Sequence, residues 1–337
     1  MFRPLMRTSM IAGMALALFA AGPAAAASPW GEGYLPDAPL TDQDGRTRRF
    51  YSDVLKGRIA VIAFIYTSCR DICPVVTARL AQVQDRLNQE RRDKGGAERA
   101  ADPVFVAISI DPVTDTPARL KDYAEAFGVG PGWSFLTGRP EDIELVRYKL
   151  GERSRKLVDH SKTILLYNDA TGEWARDSAF GDLTVLASTI RAMNPAFSAG
   201  TPAATGGAPA IGEASIAPDL PGQSLFLKTC AACHTVGGGT RVGPDLAGVG
   251  SRRSRDWLVS YVTDPQRMRA QGDATALDLA RAFPSVRMPN LSLSDTDAAD
   301  VLAYVEAMTY GAREAAKDKE ASAEPADAHA HHHHHHH

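Results

Sequence analysis

The sequence predicts two folded domains of different class, an α/β domain with a mixed or parallel sheet and then a smaller domain made of helices alone. Three observations carry this reading. Up to about residue 195, apolar strand-like runs alternate with helical stretches. The stretch "AFSAGTPAATGGAPAIGEASIAPDLPG" that follows is poor in large apolar residues and rich in Ala, Gly, Pro, Ser and Thr, the composition of a flexible linker. Beyond it only helix signals recur. At 337 residues, 44% hydrophobic and 23% charged, the chain suits two soluble globular domains. A formal charge of -3 offers no electrostatic case for nucleic acid or an acidic membrane surface as partner.

The first domain opens with "QDGR", a hairpin turn, and continues with the strand "IAVIAFIY" and a helix from about Pro74 to Arg92. The strand "PVFVAISI", a helix from about Pro117 to Phe127 and a helix from about Pro140 to Leu150 come next. After them the strand "TILLYN" turns at "NDATGE" into a partner strand around Trp174, and a helix from about Asp182 to Met193 ends the domain. In the second domain, "GQSLFLKT" reads as a short helix and "SRDWLVSYVTDP" as a helix with Ser254 near its start. "SDTDAADVLAYVEAM" begins with Ser294 and Asp297 in a capping-box relation, Asp standing in for the usual Glu or Gln.

Residues 1–27 read as a secretory signal peptide: Arg3 and Arg7, the apolar stretch "MIAGMALALFAAG", then small residues at the cleavage positions. The alternative is a membrane anchor, if the segment is left uncleaved, but the apolar run is shorter than the roughly 20 residues a spanning helix needs. The expected location is therefore periplasmic, in a compartment that oxidises thiols unless they are held reduced or metallated. The remaining expected boundaries are residues 28–195 for the first domain, 196–218 for the linker, 219–311 for the second domain and 312–337 for a disordered, histidine-rich tail.

Of four cysteines, two stand in "TSCRDICP" (Cys69 and Cys73) and two in "CAACH" (Cys230 and Cys233), so none is left for a structural disulfide framework. Of ten histidines, eight are in the tail, which leaves His160 and His234 in the folded regions. Cys69 and Cys73 sit where a strand becomes a helix, with Pro74 suited to the first helical turn. The helix N-terminus favours thiolate over thiol, which predicts a lowered pKa for Cys69 or Cys73. His160, in "VDHSKTILL", precedes the later strand, where a thioredoxin-like sheet can bring it to the cysteine loop. Two thiolates and an imidazole suit Cu(I), and one further oxygen ligand would accommodate Cu(II). A structural disulfide and a histidine satisfied in the core are the alternatives.

"AFIYTSCRDICP", "VAISIDPVTDTPARL", "WSFLTG" and "VDHSKTILLY", in that order over roughly residues 35–195, resemble the Sco family, the copper chaperones of cytochrome c oxidase assembly. The resemblance implies a thioredoxin-like fold with copper held by Cys69, Cys73 and His160. Asp71, Pro74 and Asp111 match further family positions. Arg70 departs from the pattern, since proline commonly follows the first cysteine. A cation there favours thiolate and also opposes a copper cation.

"CAACH" is a CxxCH, the pattern of covalent haem c attachment through Cys230 and Cys233 with His234 on the iron. Residues 219–311 resemble small class I cytochromes c. That resemblance implies that Gly222 and Phe226 meet the last helix near Tyr304 and that the Pro244 carbonyl orients His234. Met288, followed by Pro289 in a loop before the last helix, is the expected sixth ligand, with Met268 in reserve. Met193 belongs to the first domain, and Met308 on the last helix reads as a core residue.

The combination points to a metallochaperone and electron-transfer protein rather than an enzyme with a small-molecule substrate. Its expected cofactors are copper and haem c. Its expected partners are the oxidase subunit carrying the CuA site, or another copper client, and a respiratory redox partner. A linker reach of roughly 25 to 30 Å lets haem and copper meet within one molecule. A His/Met haem has a raised potential, whereas protein disulfides lie near or below about -120 mV, so reduction of Cu(II) suits the haem better than reduction of a disulfide. A thiol-disulfide oxidoreductase and a respiratory carrier docked to an oxidase are the other readings.

Overall fold

The computed structural model describes residues 30–69, 72–93, 102–154, 156–157, 163–194, 220–284 and 286–323. The leader, Arg70, Asp71, His160, nearly all of the linker and the histidine run lie outside these residues. Among the described residues, no helix is long and apolar enough to cross a membrane.

The first domain is built on a seven-stranded mixed sheet. Its strands are β1 (Pro39–Asp42), β2 (Thr47–Arg49), β3 (Ile59–Ile65), β4 (Val104–Ser109), β5 (Trp133–Thr137), β6 (Thr163–Asn168) and β7 (Glu173–Ser178), in the order β2-β1-β5-β4-β3-β6-β7. The three central strands β3, β4 and β5 run parallel, and the flanking pairs are antiparallel. All seven residues of β3 are buried, which is why its apolar run shows no alternation. By contrast, no residue of β7 is buried and most are polar, as suits an edge strand.

Helices α1 (Ile72–Asp93), α2 (Pro117–Ala126), α3 (Pro140–Lys149) and α4 (Leu183–Ala192) complete the domain, with α1 packed against α4 and α2 against β5. The sequence reading assigned no element to residues 128–139, between two helices. The structure inserts β5 there, a short parallel strand whose Trp133 and Phe135 rings stack, with centroids 5.3 Å apart. Five residues gave too brief a pattern to separate from a loop. The "QDGR" and "NDATGE" turns do join β1 to β2 and β6 to β7.

The second domain is helical. It comprises α5 (Gln223–Leu225), continued by a π-helical turn (Phe226–Cys230), then α6 (Val249–Arg252), α7 (Arg255–Thr263), α8 (Pro265–Ala270), α9 (Ala274–Ala282) and α10 (Asp295–Ala323). Ser254 caps α7 by accepting the Trp257 N–H at 3.4 Å. Ser294 and Asp297 form the reciprocal cap of α10, with the Ser294 N–H donating to the Asp297 carboxylate at 3.0 Å and the Asp297 N–H to Ser294 Oγ at 3.1 Å. Residues 312–323, read from sequence as part of a disordered tail, continue α10. "AREAAKDKEASA" is rich in strong helix formers, and an established helix propagates at little cost. Met308 is a second correction, since it is 41% exposed rather than part of a core.

The first and last helical segments of this domain cross at Gly222, whose φ is +76°. A Cβ there would lie 2.3 Å from the Asp300 carbonyl carbon. Only glycine permits both the backbone conformation and the approach. Next to the crossing, the Phe226 and Tyr304 rings meet at 5.2 Å. Gly222→Ala should cost the second domain about 2 to 4 kcal/mol, from overpacking and left-handed strain. Thermal unfolding followed by far-UV circular dichroism should show a lowered midpoint for the helical second domain.

Candidate functional site

Strand β3 ends at Ile65, and the chain then turns through Thr67 to Cys69, whose N–H donates to the Tyr66 carbonyl at 3.0 Å. The turn is anchored by Asp115, fully buried, whose carboxylate accepts the Thr67 N–H at 3.1 Å, the Thr67 hydroxyl at 2.5 Å and the Ser109 hydroxyl at 2.6 Å. A buried carboxylate demands such donors. The loop bearing the first cysteine is thus fixed to the end of β4. The motif aspartate Asp111 shapes the preceding turn instead, its carbonyl accepting the Thr114 and Asp115 N–H groups at 3.1 and 2.9 Å.

Cys69 and Cys73 are both buried and not disulfide-bonded, and the Cys73 N–H points at Cys69 Sγ at 3.5 Å. The lowered thiol pKa expected from the helix terminus is not found at Cys73. Burial, reinforced by the neighbouring Cys69, pushes this thiol well above its ordinary value. Desolvation outweighs the helix dipole because Cys73 is 1% exposed. Tyr123 is buried beside this pair, its hydroxyl 3.1 Å from Thr77 Oγ1. His160 lies outside the described residues, and among those residues no group of three or more His, Cys, Asp or Glu side chains comes together.

In the second domain, Cys230, Cys233, His234 and Met288 line one cavity of about 240 Å³. His234 Nδ1 is 2.9 Å from the Pro244 carbonyl, which makes Nδ1 the protonated nitrogen and leaves Nε2 with its lone pair. Burial lowers the His234 pKa against the opposing pull of that carbonyl, so the ring is neutral. Gly243 packs against the imidazole, where a Cβ would come within 2.6 Å of Cε1. Burial pushes the Cys230 and Cys233 thiols up to about 12. Met268 is instead packed with Tyr261 and Ala276, and Met288 lies against the edge of that cluster.

Two neutral thiols, a neutral imidazole and a thioether around a largely apolar cavity fit a covalently held haem. The loop that carries Pro244 is fastened by Asp245, which the sequence reading passed over. Its carboxylate accepts the Gly237 and Ala247 N–H groups at 2.9 and 2.7 Å, and the Gly239 N–H at 2.5 Å. Burial alone would raise its pKa, but these donors hold it down at about 2.

Residues 36–192 match the family model SCO1/SenC, and residues 220–309 match the model Cytochrome c. The chain joins a SCO1/SenC domain to a cytochrome c domain. A SCO2-like protein of Rickettsia conorii is 34% identical over 150 residues, covering 42% of this chain and 66% of the relative, so the chain spans just under two thirds of that relative's length. Among solved structures, Arabidopsis thaliana ScoI with copper bound is 26% identical, with a TM-score of 0.36 over 45% of this chain and 92% of that one. A SCO1/SenC family lipoprotein from Bacillus anthracis is 25% identical, with a TM-score of 0.39 over 47% and 94%.

The Asp245 geometry sets a pH dependence. Its folded pKa is depressed, so its contribution to stability is complete above the unfolded carboxylate value of about 3.9 and is lost as pH falls through about 2. Asp245→Asn should loosen the His234 loop at neutral pH and make the acid-induced change of the haem spectrum shallower between about pH 4 and pH 2. An acid titration of the haem band in both proteins measures the difference.

Proposed function

We propose that this is an exported copper metallochaperone with a built-in electron-transfer domain, acting in the assembly of the CuA site of cytochrome c oxidase or on another copper client. Copper is the cargo, held by Cys69, Cys73 and His160. Cys230 and Cys233 would hold haem c covalently, and His234 and Met288 would bind its iron. When bound, the haem supplies a one-electron couple matched to the Cu(II)/Cu(I) change. Support for the copper role comes from the SCO1/SenC domain together with a buried, unbridged dithiol, a soft donor pair.

One observation carries the link between the two halves. Helix α1 bears Cys73 in its first turn, and the next two residues, Pro74 and Val75, line the same cavity as Cys233, His234 and Met288. The dithiol and the cavity wall are therefore within one helical turn of each other along α1. The thiol-disulfide reading fares less well, because Cys69 and Cys73 are 6% and 1% exposed, and a client disulfide needs access to the attacking sulfur.

The test uses protein lacking residues 324–337, so that the histidine run takes no copper. His160→Ala should weaken copper binding by at least about tenfold and leave the haem spectrum unchanged, as expected on loss of one of three ligands. Unchanged copper affinity would remove His160 from the site. Met288→Ala should abolish the methionine-to-iron absorption and lower the reduction potential while covalent attachment survives. If Met268→Ala has that effect instead, the axial assignment is wrong. With the haem reduced first, added Cu(II) should oxidise it in a concentration-independent phase that Cys69→Ser/Cys73→Ser removes.

A further inference from the structure

The two domains meet along one face of α1. Val75, Arg79, Gln82 and Asp85 follow one another at helical spacings of three or four, which places them on one side of the helix. Opposite them lies the haem-attachment segment. Gln82 Nε2 donates to the Ala231 carbonyl at 2.9 Å, and Arg241 pairs with Asp85 at 3.3 Å. Ala232 and Val242 of the second domain are buried within the main core cluster of the first, although Val75 and Pro74 take no part in that cluster. The apolar contact thus runs unbroken from one domain into the other.

Arg79 stands at the centre. It is 1% exposed, and its guanidinium donates to three backbone carbonyls: Nε to Ala179, Nη2 to Gly181 at 2.5 Å, and Nη1 across the interface to Lys228. Burial lowers its pKa, the field of Asp182 opposing. A buried guanidinium needs its donors filled, and only the planar fork of arginine reaches three acceptors at once. The second domain therefore completes the solvation of a charge that belongs to the first. The exposed Asp85–Arg241 pair sets register and adds little energy.

We infer that this face of α1 is a dedicated docking surface for the chain's own cytochrome c domain, with Arg79 as the positioning residue that holds the closed form. In that form the helix that begins at the dithiol walls the haem cavity, and the α1 face is withheld from any other protein. It becomes available only when the domains part. The inference concerns the arrangement of the domains; its bearing on electron exchange rests on the function proposed above.

Small-angle scattering of the full holo-chain should show one compact particle. Arg79→Gln should enlarge the radius of gyration and slow the concentration-independent oxidation of haem by Cu(II) by at least about tenfold. Because Arg79 also bonds within its own domain, a second variant, Gln82→Glu, replaces only the donor to the Ala231 carbonyl with a carboxylate and should open the particle too. Gln82→Lys, which keeps a donor at that position, should leave the particle compact, which a general loss of stability would not do. An extended wild-type particle, or compact particles with an unchanged fast phase in both variants, would overturn the inference. A compact wild type that binds no copper at the dithiol would leave the docking surface standing and remove the proposed function instead.

Discussion

The burial of β3 on both faces governs where this protein can place its chemistry. A strand covered above and below by side chains, and paired on both edges with β4 and β6, offers no access along its length. Its one outlet is the C-terminal end, where the chain must turn into α1 to make the crossover to β4. The dithiol sits in that turn. Asp115 then converts a turn into a fixed platform, because a buried carboxylate satisfied by Thr67 and Ser109 can move only if all three move together. The same helix that leaves the platform carries the face on which the second domain rests, so position passes from sheet to dithiol to haem cavity through rigid elements.

The second domain is organised by different means. Its apolar side chains form small clusters, one around Phe226, Val301, Tyr304 and Val305 and another around Tyr261, Met268 and Ala276. A domain of this size has limited core to bury. Close backbone approach at Gly222 and the reciprocal cap at Ser294 and Asp297 fix the ends of its first and last helical segments, and the Asp245 carboxylate braces the loop between them. Local polar fastening does here what a large core does in the first domain.

Much of this was legible in the residues. The division into an α/β and a helical domain, both hairpin turns, the caps at Ser254 and Ser294, and the grouping of Cys230, Cys233 and His234 follow from spacing and local chemistry, which act over a few residues, whereas Met288 came with the resemblance to small cytochromes c. What escaped the sequence acts over long separations. Asp115 and Asp111 look alike in "DPVTDTP", and only the tertiary fold decides which carboxylate is buried. The Cys73 thiol was misjudged because its burial is invisible in a five-residue motif, whereas the helix terminus is plain. Nor does any local pattern in "VVTARLAQVQD" announce that Arg79 will meet the Lys228 carbonyl. β5 and the extension of α10 were missed for a simpler reason, since one is too short and the other too polar for periodicity to stand out.

The contact between Gly243 and His234 has a consequence for the readiness of that imidazole. The imidazole is held on one side by a glycine that leaves no room for a methyl group, and its Nδ1 proton is committed to the Pro244 carbonyl. Ring rotation and tautomer exchange are therefore both suppressed by the polypeptide itself. The entropy of ordering the ring is met during folding, so any group that binds His234 meets an imidazole already oriented. The absence of one side chain at position 243 thus acts as a mould for the plane of another.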